Sequence, residues 1–283
     1  MKWMVRIGLG LAVIMLMVAG AAYLSLTEGW VFPKHSQAEL TELTAPHDTW
    51  VYPDGAGPFP LVITAHGCGG RAGFMDEWAA VLRDAGFAVL ITDSFRGRDL
   101  HSQEGIDTVC GGRALLGPER AADLYVALNR ALDNDRIDPA RIGLMGFSHG
   151  GWTVMELLGT LPPYGIDAPI LRDGAPLDLS GVKASVLIYP YCGFGAALNG
   201  VSHEAPILLE LAEADEIADH TECLDLSKSI GAGGVPVSVH VAPGAFHAYD
   251  KPQWTFAGDN ENYREDLRRT LERRVVAFFK AKL

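Results

Sequence analysis

Short apolar runs alternate with amphipathic stretches along most of this chain. Apolar runs that predict buried strands occupy residues 61–65 and 88–92, two runs that end at Phe147 and Tyr189, and residues 206–212 and 237–241. Apolar residues at helical spacing predict helices over Phe74–Asp84 and residues 118–132, 149–161, 221–230 and 261–281. This alternation favours an α/β fold with a mostly parallel central sheet flanked by helices. The stretch between Tyr189 and Pro206 is too short for a large cap domain, so we expect an open cleft.

The first residues differ from the rest of the chain. Lys2 and Arg6 precede an uncharged apolar run over residues 7–26, which approaches the length of a membrane span. The tripeptide Ala19-Gly20-Ala21 resembles the small-residue cleavage site of a secretory signal. Positive residues on the amino side of the run indicate a cytoplasmic start and an exported body.

We interpret residues 1–26 as a signal peptide, with a membrane anchor over residues 5–26 as the alternative. Residues 27–48 are interpreted as a linker, and residues 49–283 as one folded domain. The chain has a formal net charge of −12, and such an acidic body repels nucleic acid and anionic membrane surfaces. We therefore expect no nucleic-acid partner, and contact with a membrane only through the N-terminal segment.

Residues 146–150 read Gly-Phe-Ser-His-Gly and fit the pattern G-x-S-x-G. The pattern lies after a predicted strand and before a predicted helix, a context typical of a nucleophile elbow. Such a turn is tight, so a Cβ at Gly146 or Gly150 would strike the neighbouring element. An ordinary strand-to-helix turn is the alternative. We predict that Ser148 is exposed at the strand tip as a nucleophile.

A nucleophilic serine needs partners, because its hydroxyl attacks well only when a positioned base takes its proton. Asp215 follows one predicted strand, and His247 lies in the loop after the last one. The carboxyl ends of parallel strands meet at one edge of a sheet, so we expect both side chains to converge on Ser148. Glu213 and Glu216 compete with Asp215 for the role of the acid.

Acyl transfer also needs donors for the negative oxygen that forms on the attacked carbonyl. We expect one donor to be the backbone N–H of His149, the residue after the nucleophile. The second is assigned to the N–H of Cys68, in the loop His66-Gly67-Cys68-Gly69-Gly70 after an earlier strand. This loop lacks G-x-G-x-x-G and the G-K-[ST] ending of a phosphate loop, so nucleotide binding is not expected.

These motifs, in this order, resemble the dienelactone hydrolase family of α/β-hydrolases, in particular its branch with an H-G-C-G-G loop. The resemblance covers residues from about 50 to the C-terminus and is carried by His66-Gly67-Cys68-Gly69-Gly70, Asp93-Ser94-Phe95-Arg96-Gly97-Arg98, residues 136–142, Tyr189-Pro190-Tyr191-Cys192-Gly193, Asp215 with Cys223, and Pro243-Gly244-Ala245-Phe246-His247. It implies an α/β-hydrolase fold without a large cap and without a cofactor. The enzyme that names the family has Cys in the elbow, whereas this chain has Ser148, which favours a serine carboxylesterase.

The loop that begins at Asp93 holds two arginines near the predicted catalytic edge. In the enzyme that names the family, a basic residue of the corresponding loop helps to hold a substrate carboxylate. This resemblance makes Arg96 or Arg98 a candidate for substrate binding, with a solvated or structural arginine as the alternative. Asp93 itself precedes the nucleophile, and we interpret it as an anchor of the loop.

Four cysteines allow three pairings, and the sequence alone does not choose between them. Cys68 and Cys110 lie in loops at the same sheet edge, and Cys192 and Cys223 lie beyond adjacent strands. In an oxidising compartment we expect Cys68 to pair with Cys110 and Cys192 with Cys223, with four buried free thiols as the alternative. Neither the His/Cys spacing nor the clustering of carboxylates predicts a metal site.

Together these features predict an exported serine hydrolase, periplasmic or extracellular. It would cleave a small-molecule carboxylic ester or lactone through an acyl-enzyme. A peptidase or acyltransferase on the same fold is one alternative, and a catalytically silent binding module is another.

Overall fold

A computed structural model describes residues 2–28, 35–159, 171–173, 177–197, 200–254 and 258–283. Within them, a seven-stranded sheet has the strand order β1-β3-β2-β4-β5-β6-β7. Its strands are β1 (Thr49–Val51), β2 (Phe59–Ala65), β3 (Ala88–Ile91), β4 (Ile137–Phe147), β5 (Val182–Ile188), β6 (Ile207–Ala212) and β7 (Val237–Ala242). Only β1 is antiparallel to its neighbour, so the predicted fold class, a mostly parallel sheet flanked by helices, is confirmed.

Helices cover both faces of this sheet. The helices of the described residues are α1 (Lys2–Glu28), α2 (Gln37–Thr44), α3 (Phe74–Asp84), α4 (Gln103–Cys110), α5 (Gly117–Leu132), α6 (His149–Leu158), α7 (His220–Ala232) and α8 (Glu265–Lys282), and those that pack on the two faces are α2, α3, α5, α6, α7 and α8. Successive residues of β2 face opposite sides: Leu61 packs in the core with α2, α5, α6 and α7, and Val62 in the core with α3 and α8. Strands buried on both faces read as continuous apolar runs, which is why their positions were visible in the sequence.

The boundaries of four predicted helices differ from the structure, one of them only because α5 begins one residue earlier than predicted, at Gly117. The helix predicted over residues 149–161 is α6, and residues 160 and 161 lie outside the described residues. The helix predicted over residues 261–281 begins only at Glu265. Asn260 explains the late start, because its Oδ1 accepts the N–H of Asn262 and holds these residues in a turn. Helix α7 extends beyond the predicted residues 221–230 at both ends.

The structure also contains elements that the sequence analysis treated as irregular. Helix α2 lies inside the predicted linker, residues 27–48, and its Leu40 is buried in the core beside α5. This part of the chain therefore packs on the domain. Helix α4 lies in the long loop after β3, and an antiparallel ribbon joins β8 (Gln253–Trp254) to β9 (Gly258–Asp259). By length and apolarity, no helix within the described residues is able to cross a membrane.

Candidate active site

Ser148 stands at the sharp turn between β4 and α6. Its backbone has φ 53° and ψ −118°, a conformation that costs a non-glycine residue about 1–3 kcal/mol. A Cβ at Gly146 would lie 2.2 Å from the carbonyl oxygen of Gly150, and a Cβ at Gly150 would lie 2.2 Å from that of Ala65. The chain can therefore turn this tightly only with glycine at both positions, as the elbow pattern indicated.

The structure brings Ser148, His247 and Asp215 into one hydrogen-bonded chain. The Nε2 atom of His247 lies 2.9 Å from Ser148 Oγ, and its Nδ1 lies 2.7 Å from Asp215 Oδ2. An ionised carboxylate only accepts hydrogen bonds, so Nδ1 carries the ring proton and Nε2 is left to accept from the serine hydroxyl. The side chains of His247 and Asp215 are 9% and 1% exposed. This arrangement can remove the proton from Ser148 as the serine attacks.

The other oxygen of the Asp215 carboxylate is also bonded. Asp215 Oδ1 accepts the backbone N–H groups of Ile217 and Ala218, at 2.9 and 2.8 Å. The competing acids have other surroundings: Glu213 Oε2 accepts the N–H of Gly244, and Glu216 is exposed. Only Asp215 of these three acids contacts His247.

The glycine-rich loop after β2 lies against Ser148. A Cβ at Gly67 would stand 3.4 Å from the Cβ of Ser148. His66 holds the loop in place: its Nδ1 donates to the Gly67 carbonyl at 2.7 Å, and its Nε2 accepts the Ser94 N–H at 3.2 Å. Within the described ranges, the backbone N–H groups of Cys68 and His149 donate no hydrogen bond to another protein group. Neither N–H therefore has a protein acceptor in these ranges, as the predicted oxyanion donors require.

The side chain of His149 lies in a second buried cluster next to the elbow. Arg120 is 1% exposed, and its Nη1 donates to His149 Nδ1 at 3.1 Å. Burial lowers the pKa of Arg120 to about 10, so the guanidinium is charged at neutral pH. Burial, with this cation beside the ring, lowers the pKa of His149 to about 3. His149 therefore stays neutral over the whole physiological range.

Arg120 is the residue of this region that the sequence analysis missed. Among the described residues, its Nε and Nη2 have no hydrogen-bond partner, and its guanidinium stands 5.8 Å from the ring centre of Phe95. An arginine in an amphipathic helix is usually solvated, so no local signal marked this one as buried. Its contact with His149 is a tertiary feature that only the packing of α5 on α6 creates.

The two arginines of the loop after β3 have different surroundings. Arg98 donates to both carboxylate oxygens of Asp123, at 2.9 and 2.8 Å, and to the Ser94 carbonyl. These contacts favour the structural alternative for Arg98. Arg96 is 65% exposed, with its Nε 3.8 Å from the carboxylate of Asp93. Asp93 Oδ1 in turn accepts the N–H groups of Phe95 and Arg96, as expected of a loop anchor.

Both expected disulfides are present in the structure. Cys68 pairs with Cys110, which joins the glycine-rich loop to the last residue of α4. Cys192 pairs with Cys223, which joins the loop after β5 to α7. In the part of the chain that the structure describes, no cluster of three or more His, Cys, Asp or Glu residues is arranged to hold a metal ion.

The open, mostly parallel sheet and the serine elbow at the carboxyl end of β4 define an α/β-hydrolase. The sequence matches the profile of the dienelactone hydrolase family over residues 48–283, and the chain belongs to that family. A dienelactone hydrolase from Anabaena variabilis ATCC 29413 has a similar structure, with a TM-score of 0.56 and 20% identity over 83% of this chain and 91% of its own. A carboxylesterase from Lactobacillus plantarum WCFS1 is similar too, with a TM-score of 0.64 and 16% identity over 83% of this chain and 91% of its own.

The curated relatives include larger proteins. The acylamino-acid-releasing enzyme of Sus scrofa is 25% identical over 215 residues, which cover 67% of this chain and 28% of the relative. The chain thus spans about a quarter of the length of that relative. These similarities support hydrolase activity. The similar proteins are named for different substrates, so the similarities do not specify one substrate.

Proposed function

We propose that this chain is a serine hydrolase that cleaves carboxylic esters or lactones through an acyl-enzyme. The observation that carries the proposal is the unbroken hydrogen-bonded chain from Ser148 Oγ through His247 to Asp215, with contacts of 2.9 and 2.7 Å. The constellation is that of a nucleophile, a base and an orienting acid. Family membership and a carboxylesterase of the same fold support the choice of an ester substrate.

In the first half of the reaction, Ser148 Oγ forms a bond to the substrate carbonyl carbon while its proton passes to His247 Nε2. Asp215 fixes the ring orientation and stabilises the positive charge that the ring acquires. The carbonyl oxygen becomes negative and accepts the N–H groups of Cys68 and His149. Each such donor contributes on the order of 10²–10³ in turnover. Collapse of the intermediate breaks the ester bond, and His247 gives its proton to the leaving alcohol.

In the second half, a water molecule gives a proton to His247 and its oxygen attacks the acyl carbon. The same two amides hold the second oxyanion. Its collapse breaks the bond to Ser148 Oγ, which recovers a proton from His247, and the carboxylic acid leaves. No redox change and no cofactor enter this sequence of steps.

Labelling with a fluorophosphonate, followed by assays with p-nitrophenyl esters, tests the proposal. We expect modification of Ser148 and ester turnover, and we expect Ser148→Ala to abolish both. Thermal unfolding of the variant, compared with the wild type, controls for loss of fold. Turnover by a folded Ser148→Ala protein at the wild-type rate would refute the mechanism.

The acylamino-acid-releasing relative supplies one competing substrate class. N-acetylalanine p-nitroanilide, an amide, is the matched probe for it. Labelling of Ser148 with turnover of the anilide and none of the esters would replace the esterase by a peptidase. Labelling without turnover of either probe would favour an acyltransferase, and no labelling of the folded protein would favour a binding module.

We further propose that the protein is exported and that a signal peptide within residues 1–26 is removed. The two disulfides support an oxidising compartment, since such bonds are rare in the cytosol. Fractionation of the producing cells and N-terminal sequencing of the mature protein test this proposal. An intact N-terminus in the membrane fraction would favour the anchor over residues 5–26, and a reduced protein in the cytosol would refute export.

A further inference from the structure

Large apolar side chains are exposed on the loops that carry the proposed catalytic residues or contact the elbow. Outside α1, the exposed large apolar residues of the described chain are Phe194 at 97%, Ile217 at 65%, Phe246 at 39% and Val241 at 36%. All of them except Val241 lie in loops that carry or contact Ser148, Asp215 and His247. Single exposed apolar residues are common on proteins, but a group of them around one site is typical of a binding surface.

Ile217 and Phe246 lie on the two loops that supply the acid and the base. The N–H of Ile217 donates to Asp215 Oδ1 at 2.9 Å, so its backbone is held beside the carboxylate. Phe246 immediately precedes His247, and its neighbours on both sides are buried while its own side chain is exposed. The two loops are joined by a hydrogen bond from the Ala214 N–H to the Ala245 carbonyl, at 2.8 Å.

Phe194 belongs to the loop after β5, which contacts the elbow itself. Its carbonyl accepts the hydroxyl of Tyr191 at 3.2 Å, and the Tyr191 N–H donates to the Ser148 carbonyl at 3.4 Å. The ring of Tyr191 stands 5.2 Å from the ring of Trp152, which stands 4.9 Å from the ring of His149. A row of aromatic rings therefore runs from this loop down to the elbow.

We propose that Phe194, Ile217 and Phe246 form an apolar rim that binds the hydrocarbon chain of the substrate. The inference rests on the proposed esterase function and adds the substrate class: uncharged esters with a medium-length or long alkyl chain. The exposed carboxylates of Glu213 and Glu216, in the same loop as Ile217, disfavour a chain that carries negative charge.

The first test compares kcat/KM for p-nitrophenyl acetate, butyrate and octanoate, all below their critical micelle concentrations. We expect kcat/KM to rise with chain length, by up to about fourfold for each methylene that the rim buries. Phe246→Ser is expected to lower the ratio of kcat/KM for the octanoate to kcat/KM for the acetate about tenfold. Val241→Ser is the matched control, because Val241 is equally exposed but lies on β7, and it should change neither value.

The second test needs no ester turnover. It measures how fast ethyl and octyl fluorophosphonates inactivate the wild type and Phe246→Ser. We expect the octyl reagent to react faster with the wild type, and Phe246→Ser to remove that advantage. If the esters are not hydrolysed and the octyl preference is present, the esterase proposal fails while the apolar rim stands.

Several results would overturn the apolar rim. One is an equal or lower rate with the long chain in both tests, and another is an equal effect of Phe246→Ser on short and long chains. If further assays above the critical micelle concentration show a rise in rate that is absent below it, the apolar surface would bind a lipid aggregate and not a single hydrocarbon chain. Failure of both reagents to label the folded protein would remove the proposed function and the rim together.

Discussion

Two buried histidines lie next to Ser148, and they have partners of opposite charge. His247 donates to the carboxylate of Asp215 and faces the serine hydroxyl, whereas His149 accepts from the guanidinium of Arg120. The carboxylate stabilises an imidazolium, and the guanidinium excludes one. Proximity to Ser148 is therefore not enough to make a histidine suitable as a base. The charge of the group that is hydrogen-bonded to Nδ1 of the ring determines whether the ring can accept a proton.

Each histidine also has a disulfide on its side of the elbow. Cys68–Cys110 fixes the glycine-rich loop, whose residue Cys68 packs with Phe95 below Arg120. Cys192–Cys223 fixes the loop after β5 to α7, the helix that follows the Asp215 loop. In the proposed mechanism, one side of the site holds charge on the substrate and the other moves a proton.

The largest difference in kcat should appear when each of the two histidines is replaced, in separate variants, by glutamine. His247→Gln is expected to lower kcat on the order of 10⁴-fold or more, because the base is lost. His149→Gln should cost about tenfold or less, since glutamine still accepts from Arg120 and the backbone amide remains. Kinetics with p-nitrophenyl butyrate, with circular dichroism as the control for fold, measures both. Equal losses would show that the partner charge does not separate the two roles.

The orienting carboxylate should give the next largest effect. Asp215→Asn is expected to lower kcat on the order of 10³–10⁴-fold, because an amide does not hold the reactive tautomer or stabilise the imidazolium. Glu213→Gln is the matched control: it preserves an acceptor for Gly244 and should stay within about twofold. A comparable loss of kcat in Glu213→Gln would show that the role of the acid does not belong to Asp215 alone.

The disulfides should separate turnover from stability. Their sequence separations, 42 and 31 residues, imply nearly equal loop-closure entropy, so differences must come from the loops they hold. Cys110→Ser is expected to lower kcat about tenfold, because the Cys68 amide loses its fixed position. Cys223→Ser should also lower the free energy of unfolding, by about 2–5 kcal/mol, but with a smaller effect on kcat than Cys110→Ser.

Denaturant unfolding and kinetics on both cysteine variants check this expectation. Mass mapping of the unreduced wild type tests whether both disulfides form, because it should recover both pairs of linked peptides. Four alkylatable thiols in protein from the export compartment would contradict both disulfides and weaken the proposal of export. Variants that lose turnover and stability in the same proportion would contradict the division between the two sides.

The smallest effect concerns pH and stability. The pKa of His149 is lowered to about 3 in the folded protein, so below pH 6.5 the unfolded chain binds a proton that the folded chain does not. The free energy of unfolding should therefore fall as pH falls, by about 2 kcal/mol between pH 7 and pH 5 from this residue. His149→Gln should lack this part of the decrease. Urea unfolding of both proteins at pH 7 and pH 5 measures this difference. An identical decrease of the free energy of unfolding in the wild type and in His149→Gln would contradict a buried neutral ring.

The sequence predicted strands β2, β3, β5 and β6 and the end of β4 well because their residues are apolar and mostly buried, and β7 because its apolar residues alternate with polar ones. Helix Phe74–Asp84 was predicted with the bounds that it has in the structure, since its apolar residues repeat with a clear helical period. Strand β1 has three residues, too few for any pattern, and exists because Trp50 pairs with Leu90 across the sheet. Helix α2 did have a signal, the capping box of Ser36 and Glu39, within a stretch interpreted as a linker.

For the candidate site, the order of residues along the chain carried most of the prediction. A parallel sheet places the end of every strand at one edge, so Ser148, Asp215 and His247 could be expected to meet there. Nothing local could show that Arg120 is buried, because that depends on how α5 packs against α6. The environment of His149 was hidden for the same reason. Sequence order specifies which residues reach the edge, and packing specifies the charge around them.

The pairing of the cysteines has a consequence for biogenesis. The first cysteine bonds to the second and the third to the fourth, so the two covalent loops follow one another and do not overlap. If the chain leaves the cytoplasm amino end first, Cys68 and Cys110 emerge together before Cys192 does. An oxidant that joins thiols in order of appearance then produces the native linkage directly. For a protein exported as proposed, this pairing requires oxidation of the thiols in the order of the chain and no reshuffling of wrong bonds.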